Sequence, residues 1–243
     1  MDAMILAAGF GTRLRPITDN IPKALIPIGG TPMVERVARR LIAAGATRLI
    51  INTHHHASQI EAFLRERDGF GVQVSISHES EEVLETGGGL WYAAPFFQRD
   101  SPFFLHTVDV ISDCDLQSIY AVHQQQQPIA TLAVSNRKSS RYFLFDDDGL
   151  CGHGNDATGV VRQARRAVGP QRKMSFCGIH VISPRIFELM TERGKFSIVD
   201  LYLRLAANGE RLLPHDISGS QWIDIGKPEQ LRQAEAIAAT LAP

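Results

Sequence analysis

The sequence predicts an α/β fold: a twisted, mostly parallel mixed sheet flanked by helices, with a small β-rich insertion. Three observations predict this class. Short, continuously apolar segments alternate with amphipathic helical patterns along the first half of the chain. Such alternation favours parallel strands, because right-handed crossovers return the chain to the same sheet. The 243 residues are 44% hydrophobic, which is enough for one sizeable core, so we expect a single domain over residues 1–243.

The first strand and helix follow each other near the N-terminus. The segment AMILAAG is continuously apolar and ends at Gly9, which is typical of a short buried strand. TPMVERVARRLIAAG predicts a helix with Thr31 as its cap, Pro32 at its first position and Gly45 at its end. RLIIN then predicts a second buried strand over residues 48–52.

The alternation continues through the middle of the chain. Ser58 and Glu61 form a capping box that predicts a helix over residues 58–67. VQVSISH alternates as a strand does, GGGLWYAAPFF predicts a short helix, and PFFLHTVDV predicts a strand that runs into acidic residues. Asp115 is expected to cap a helix over residues 116–127, and IATLAV predicts the next strand.

The pattern changes near Arg141. RYFLF, the turn DDDG, a Gly/Asn-rich loop and GVVRQARR indicate hairpins, which predicts a β-rich insertion over about residues 136–175, near the active-site mouth. SFCGIHVIS returns the chain to the main sheet. Helices are expected over PRIFELM and SIVDLYLRLAANG, followed by a WIDIG strand, a turn and a final helix that reaches residue 242.

Charge and composition exclude some kinds of partner. The formal net charge is −1 and the pI about 6.8, so no global field attracts nucleic acid or anionic lipid. No stretch approaches the length of a membrane span, and the N-terminal apolar run is too short for a signal peptide. Three cysteines without a CxxC pair fit reduced thiols. We therefore expect a cytoplasmic protein in which any anion-binding site is local, and the sequence leaves its oligomeric state open.

The stretch LAAGFGTRLRPITDNIPKALIP, residues 6–27, is the first candidate site. Glycines let backbone amides approach a ligand closely, and Arg13, Arg15 and Lys23 indicate that the ligand is a polyanion. A dinucleotide-binding loop needs a third glycine where Leu14 stands, and a Walker loop ends in Gly-Lys-Ser/Thr. Neither pattern is present. A glycine turn with solvated arginines stays open as a purely structural alternative.

Five motifs in order resemble those of the sugar-1-phosphate nucleotidyltransferase family. The glycine-rich stretch with LIPIGGTPM is followed by LETGGGL, VDV around Asp109, FCGIHVIS and WIDIGKPEQL, and together they cover nearly the whole chain. They are most similar to the motifs of N-acetylmuramate 1-phosphate uridylyltransferase-like and heptose or mannose 1-phosphate guanylyltransferase-like members. The resemblance implies a Rossmann-like, GT-A-like nucleotidyltransferase fold. It also implies transfer of a nucleoside monophosphate from a nucleoside triphosphate (NTP) to a sugar 1-phosphate, with release of pyrophosphate.

The same resemblance implies roles for individual residues. Arg13 is expected to neutralise the leaving pyrophosphate and Lys23 to lie against the α-phosphate, so these two are the candidate catalytic residues. Gly178 is expected to meet the sugar. The expected nucleotide-binding residues are Leu6, Ala8, Gly9, Gly11, Thr12, Arg13, Lys23, Glu85, Gly87 and Gly88.

The resemblance also implies a magnesium site. Asp109 and Asp224 match the two acidic positions that bind Mg²⁺ in the family, and oxygen-only ligation suits that ion. Family members usually carry glycine just before the first aspartate. This chain has Val108 there, a side chain able to reshape the nucleotide pocket or to move the ion.

Several functional alternatives stay open. Glu85 can accept hydrogen bonds from a base imide or from the N–H groups of guanine, so UTP is only slightly favoured over GTP. The sugar is expected to be a hexose derivative of envelope-precursor or salvage metabolism. A non-catalytic nucleotide or sugar-phosphate sensor is the alternative from another class, and the retention of both cations and both aspartates argues against it.

A glycosyltransferase would want a DxD motif, but DCD at residues 113–115 is better explained by helix capping. The cationic partner of the sugar phosphate is unassigned among Arg141, Arg162 and Lys195.

Overall fold

The computed structural model describes residues 1–239. Its strands are β1 Asp2–Leu6, β2 Pro27–Ile28, β3 Thr31–Pro32, β4 Arg48–Thr53, β5 Gln73–His78, β6 Phe103–Thr107, β7 Val110–Ser112, β8 Ala130–Ser135, β9 Arg141–Asp146, β10 Gly149–Asn155, β11 Val160–Gln163, β12 Arg172–Ile182, β13 Leu212–Asp216 and β14 Trp222–Asp224. Its α-helices are α1 Met33–Ala43, α2 Ala57–Glu66, α3 Glu85–Tyr92, α4 Leu116–Gln126, α5 Ile186–Leu189, α6 Ile198–Ala207 and α7 Pro228–Ala238. None of the helices described over residues 1–239 has both the length and the apolar composition needed to cross a bilayer.

One mixed sheet of ten strands forms the centre of the fold. Eight strands follow the order β11-β10-β9-β12-β6-β1-β4-β5, and β8 and β13 attach beside β12. The neighbours β6, β1, β4 and β5 are parallel, as are β8 and β13, whereas β12 runs antiparallel to β6, β8 and β9. The predicted mixed α/β class is confirmed, with parallel pairing confined to these two groups.

Helices cover both faces of the sheet. Along β1, Ala3 and Ile5 pack into one core with α1, α2, α4 and α7, while Met4 packs into a second core with α3, α5 and α6. Alternate residues of β4 divide in the same way, since Leu49 belongs to the first core and Ile50 to the second. Because both faces are buried, these strands are continuously apolar, which is the pattern that predicted them.

The parallel strands end at one edge of the sheet. β1 ends at Leu6 and pairs with β6, which ends at Thr107, and the Val108 N–H donates to the Leu6 carbonyl at 3.0 Å. The short strands β7 and β14 pair next to this edge, with Asp224 opposite Val110. Ligands of open α/β sheets bind at the carboxyl ends of the strands, so this edge is where a site is expected.

Antiparallel hairpins β9, β10 and β11 extend the sheet on the side of β12. The Asp146 carboxylate is buried there and accepts two hydrogen bonds from the Arg165 guanidinium, at 2.6 and 2.8 Å. Burial alone would raise the pKa of Asp146, but hydrogen bonds from Arg165 and from the Val168 and Asp148 amides lower it to about 2. The sequence predicts a loop for the Gly/Asn-rich segment after the DDDG turn, but most of it forms the strand β10, Gly149–Asn155. The limits of an insertion at about 136–175, and the single-domain assignment, stay predictions.

Two predicted helix caps are wrong, and one is confirmed. Thr31 and Pro32 form the short strand β3 with β2, so α1 begins after them without a side-chain cap. Ser58 lies inside α2, which follows His56 in a left-handed conformation, φ 54°. Asp115 does cap α4, because its Oδ1 accepts the Ser118 N–H at 3.1 Å. The predicted end of the last helix, residues 240–242, lies outside the described residues.

Candidate active site

A cleft of about 420 Å³ opens at the carboxyl edge of the sheet. Its walls come from the ends of β1, β4 and β6, from the glycine-rich loop after β1 and from the start of α3. The lining residues are Leu6, Ala7, Ala8, Gly9, Phe10, Gly11, Thr12, Arg13, Leu14, Lys23, Asn52, Val83, Glu85, Thr86, Thr107, Val108, Asp109 and Gly226. Most of the expected nucleotide-binding residues therefore face one cleft, which Val108 also lines.

The glycine-rich loop is held in shape by its own contacts. Gly11 has φ 64°, a left-handed conformation, and a Cβ added there would lie 2.8 Å from Cγ2 of Thr18. The Thr18 hydroxyl donates to the Gly11 carbonyl at 2.9 Å. Glycine is thus required at Gly11 for both conformation and space. Gly9 has no heavy atom within 4 Å of an added Cβ, so it leaves open space beside the backbone.

Lys23 and Asp109 meet in the cleft. The Lys23 Nζ lies 2.6 Å from Asp109 Oδ2, and the two side chains are 12% and 27% exposed. Burial alone would raise the pKa of the Asp109 carboxyl, but the Lys23 ammonium and hydrogen bonds from Lys23, Thr107 and the Asp109 backbone hold this pKa below its usual value. The carboxylate is therefore ionised at neutral pH.

The turn that follows β14 and Asp224 contacts both the backbone at Asp109 and the side chain of Arg13. The Ile225 N–H donates to the Asp109 carbonyl at 2.9 Å, which joins the turn after β14 to the backbone at Asp109. An added Cβ at Gly226 would lie 2.9 Å from Arg13 Nη2, so the guanidinium rests against this turn. The structure thus brings Arg13, Lys23 and Asp109 together in one cleft. Asp224 is not among the lining residues, and it is connected to the cleft through the backbone bond of its neighbour Ile225 to Asp109.

A buried polar pair supports the cleft, and the sequence motifs did not indicate it. The Asn52 Oδ1 accepts the Ala7 N–H at 2.6 Å, while its Nδ2 donates to Glu79 Oε1 at 2.7 Å. Glu79 Oε2 accepts the Leu84 N–H at 2.8 Å. Both side chains are 2% exposed. The pair links the glycine-rich loop to the segment before α3, and an added Cβ at Gly89 would come within 2.8 Å of both partners.

The LETGGGL segment divides between the cleft and the core. Glu85 lines the cleft and has φ 62°, which is unusual for a residue with a side chain. Gly87 and Gly88 instead donate their N–H groups to the Phe196 carbonyl at 3.0 and 3.1 Å. Added Cβ atoms there would lie 2.4 Å from the Phe196 ring and 2.2 Å from the Gly194 carbonyl oxygen. These contacts give both glycines a packing role, and their contact with a nucleotide stays a prediction.

Gly178 lies beside the cleft rather than in its lining. It has φ 77°, and an added Cβ would lie 2.4 Å from Thr107 Oγ1 and 3.0 Å from Val110 Cγ2. A larger residue would therefore press on the strand end that carries Asp109. Two of the candidate cations for a sugar phosphate already have carboxylate partners, since Arg162 pairs with Asp200 at 2.6 Å and Lys195 with Glu82 at 3.4 Å.

The side chains of Asp109, Asp224 and Gln230 offer oxygen atoms of the kind that a hard divalent cation takes. Asp224 Oδ1 accepts a hydrogen bond from Gln230 Nε2 at 2.5 Å, and Gln230 Oε1 is buried without a hydrogen-bond partner. Two carboxylates and an unpartnered amide oxygen are ligands of the kind that Mg²⁺ takes, with substrate phosphates completing its shell. Within residues 1–239, no group of three or more His, Cys, Asp or Glu side chains forms a metal cluster.

Comparisons with known proteins identify the family of the chain. Residues 2–240 match the Nucleotidyl transferase family. The chain is 31% identical to the N-acetylmuramate alpha-1-phosphate uridylyltransferase of Caulobacter vibrioides, over 96% of this chain and 95% of that protein. It is 28% identical to the mannose-1-phosphate guanyltransferase of Yarrowia lipolytica, over 94% of this chain but only 61% of that protein.

Solved structures share the fold. A candidate glucose-1-phosphate thymidylyltransferase from Bacillus anthracis superposes with a TM-score of 0.84 at 21% identity, covering 100% of this chain and 97% of that one. A UDP-glucose pyrophosphorylase solved with UDP-glucose gives a TM-score of 0.76 at 17% identity, covering 98% of both chains. The chain is therefore a member of the Nucleotidyl transferase family, and the relatives that it matches over most of its length are sugar-1-phosphate nucleotidyltransferases.

Proposed function

We propose that the protein transfers a nucleoside monophosphate from an NTP to a sugar 1-phosphate and releases pyrophosphate. The observation that carries this proposal is the 2.6 Å contact between Lys23 and Asp109 in a cleft that the glycine-rich loop and Arg13 also line. A site that only sensed a nucleotide would not need cations and carboxylates gathered at one point. Transfer between phosphates needs them, because negative charge develops on the attacked phosphate and on the leaving pyrophosphate.

The chain's own residues bind and orient the reactants. Backbone amides of the loop from Gly9 to Gly11 hold the triphosphate, Arg13 neutralises the departing pyrophosphate and Lys23 lies against the α-phosphate. No protein base is required, because a sugar phosphate with a second pKa of about 6 is already anionic at neutral pH. Catalysis therefore consists mainly of positioning and charge neutralisation.

We assign Asp109 and Asp224 as the carboxylates that would hold Mg²⁺, with Gln230 Oε1 as a further oxygen beside Asp224. A bound divalent cation supplies positive charge that offsets the charge of the triphosphate. The contact between Lys23 and Asp109 keeps this carboxylate ionised and ready for a cation.

UTP is the favoured donor. The uridylyltransferase relatives from Caulobacter vibrioides and Neisseria meningitidis match this chain over 95% and 98% of their lengths, whereas the Yarrowia lipolytica guanyltransferase is matched over 61% of its length.

The acceptor is a hexose-derived sugar 1-phosphate, with Gly178 on its side of the cleft. N-acetylmuramate 1-phosphate is the first to test, for an envelope-precursor or salvage route in the cytoplasm. GTP with mannose or heptose 1-phosphate is the alternative.

The test is a pyrophosphate-release assay with UTP, GTP, CTP, dTTP and ATP, each combined with N-acetylmuramate, mannose, heptose and glucose 1-phosphate. We expect turnover with UTP that requires Mg²⁺ and stops on chelation. Turnover with GTP instead would support the alternative donor. Tight nucleotide binding by calorimetry, with no pyrophosphate released from any pair, would contradict catalysis and favour a sensor.

A further inference from the structure

The strand that carries Gly178 contains a bulge. Between its pairs with β8, β12 advances four residues, from Phe176 to His180, while β8 advances only two, from Val134 to Leu132. The extra residues interrupt the hydrogen-bond ladder, so the backbone carbonyls at the bulge need donors from elsewhere. The left-handed Gly178, φ 77°, lies within this bulge.

Two side chains supply those donors. The Arg137 Nη2 donates to the Phe176 carbonyl at 2.7 Å, and the Trp222 indole N–H donates to the Cys177 carbonyl at 2.8 Å. The Arg137 guanidinium also lies 4.0 Å from the centroid of the Trp222 ring. A cation–π contact at this distance holds the two donors together. We call Arg137 and Trp222 the bulge clamp.

The bulge clamp joins two parts of the candidate site. Its two acceptor carbonyls immediately precede Gly178, which is pressed against Thr107 in the cleft wall. Trp222 and Asp224 are two residues apart on β14, so their side chains lie on the same face of that strand. The clamp therefore fixes the backbone at Gly178 relative to the strand that ends at Asp224.

We propose that Arg137 and Trp222 are positioning residues for the acceptor sugar 1-phosphate. This inference rests on the proposed function, with Gly178 on the acceptor side. Within residues 1–239, the hydrogen bonds of Arg137 and Trp222 involve neither the glycine-rich loop nor Lys23, which we assign to the donor. The backbone of β14 stays paired with β7 when the clamp side chains are changed, so Asp224 and the donor keep their places. Loosening the clamp therefore shifts the acceptor relative to the attacked phosphate, and small misplacements of this kind are costly for transfer.

The experiment measures both Michaelis constants in Trp222→Phe, which keeps the ring but loses the N–H donor, and in Arg137→Lys, which keeps the charge but loses the planar guanidinium. Arg99→Lys is the matched control, because Arg99 also lies over a ring, that of Phe187 at 4.9 Å, and donates to the Ala94 carbonyl. We expect the acceptor KM to rise about 5- to 10-fold in both clamp variants. The NTP KM should stay within about twofold, and the control should change neither constant.

Each outcome decides the inference. Equal rises in both KM values, or a similar acceptor effect in Arg99→Lys, would overturn the clamp's role while leaving the proposed function standing. Absence of turnover by the wild-type protein would overturn the proposed function and the acceptor role together. If Trp222→Phe does not fold, Arg137→Lys alone carries the test. Amide hydrogen exchange then adds a second readout, because faster exchange confined to residues 176–180 is expected and unchanged exchange there would contradict a clamp.

Discussion

The Lys23 ammonium lies 2.6 Å from a carboxylate oxygen of Asp109, although 86 residues separate the two in the chain. The contact depends on the fold, since Lys23 starts a short 3₁₀ turn after Pro22 and Asp109 follows the central strand β6. A cation and an anion held this close form one electrostatic unit, and variants of the two should behave as one.

Lys23→Ala is expected to lower kcat by about 100- to 1,000-fold, because it removes a preorganised cation from the attacked phosphate. Asp109→Asn should cause a loss of kcat of similar size. It should also weaken Mg²⁺ binding, so that a higher Mg²⁺ concentration is needed for the half-maximal rate. The double variant should be about as slow as the slower single variant, since the two groups act together. Pyrophosphate release measures all three. Lys173→Ala, at an exposed lysine paired with Asp156 at 3.5 Å, is the control. Multiplicative losses in the double variant would contradict a single unit.

Gly226→Ala is expected to reduce activity through Arg13. The new methyl group would lie 2.9 Å from Arg13 Nη2 and 3.2 Å from its Cζ, so the guanidinium must move. A long flexible side chain can move without unfolding the protein, so we expect kcat to fall about tenfold with little change in the thermal midpoint. Gly219→Ala is the matched control, because an added Cβ there meets nothing within 4 Å. An unchanged kcat in Gly226→Ala would show that the position of Arg13 does not matter.

The alternation of strands and helices along the chain, and the charged residues Arg13, Lys23 and Asp109 of the cleft, could be predicted from sequence because each depends on a local pattern, an apolar run or a motif. The cap predicted at Thr31 is wrong because strand pairing decides the conformation there. Thr31 is a good cap in isolation, but its backbone pairs with Ile28 and leaves the helix without it. Asn52 and Glu79 were missed for the same reason, because a polar pair 27 residues apart becomes visible only when two strands bring it together. The one sequence signal was a polar residue at the end of an otherwise apolar strand.

The Asn52–Glu79 pair can be tested by exchanging donor and acceptor. Asn52→Asp places two carboxylates together. Glu79→Gln leaves only one acceptor oxygen, so either Asn52 Nδ2 or the Leu84 N–H loses its hydrogen-bond partner. Each single change is expected to destabilise the protein by about 2 kcal/mol. The double variant restores a complementary pair, so it should return to within about 1 kcal/mol of wild type. Urea unfolding measures the free energies. Additive losses in the double variant would contradict the hydrogen bonds that join Asn52, Glu79 and the Leu84 N–H.

Glu85 combines backbone strain with a position in the cleft. Its φ of 62° disfavours any residue with a Cβ, so Glu85→Gly should raise the free energy of unfolding by about 1 kcal/mol. Glu85→Ala keeps the strain and loses the carboxylate, which makes it the matched control. Because the carboxylate can accept hydrogen bonds from either base, both variants should show a raised KM for the NTP if Glu85 contacts the base. Equal stability of the two variants would exclude strain, and an unchanged NTP KM in both would exclude the base contact.

Buried neutral histidines should make the fold sensitive to acid. Burial lowers the pKa of His123 to about 4 and that of His180 to about 3, below the ordinary value of 6.5. Each imidazole stays neutral in the folded state but binds a proton in the unfolded state below pH 6.5. The stability each contributes is therefore fully present above pH 6.5 and is lost as pH falls towards the folded-state value, at about 1.4 kcal/mol per pH unit.

His123→Gln removes this proton uptake and keeps a polar partner for the Thr131 hydroxyl, which lies 3.0 Å from His123 Nδ1. We expect the free energy of unfolding, measured by urea titration at pH 7.5, 6 and 5, to fall less steeply with acid by about 1.4 kcal/mol per pH unit between pH 6 and 5. His180 stays in place, bonded to the Tyr202 hydroxyl at 2.7 Å, so part of the acid sensitivity should persist. A slope equal to that of wild type would mean that His123 is already protonated in the folded protein.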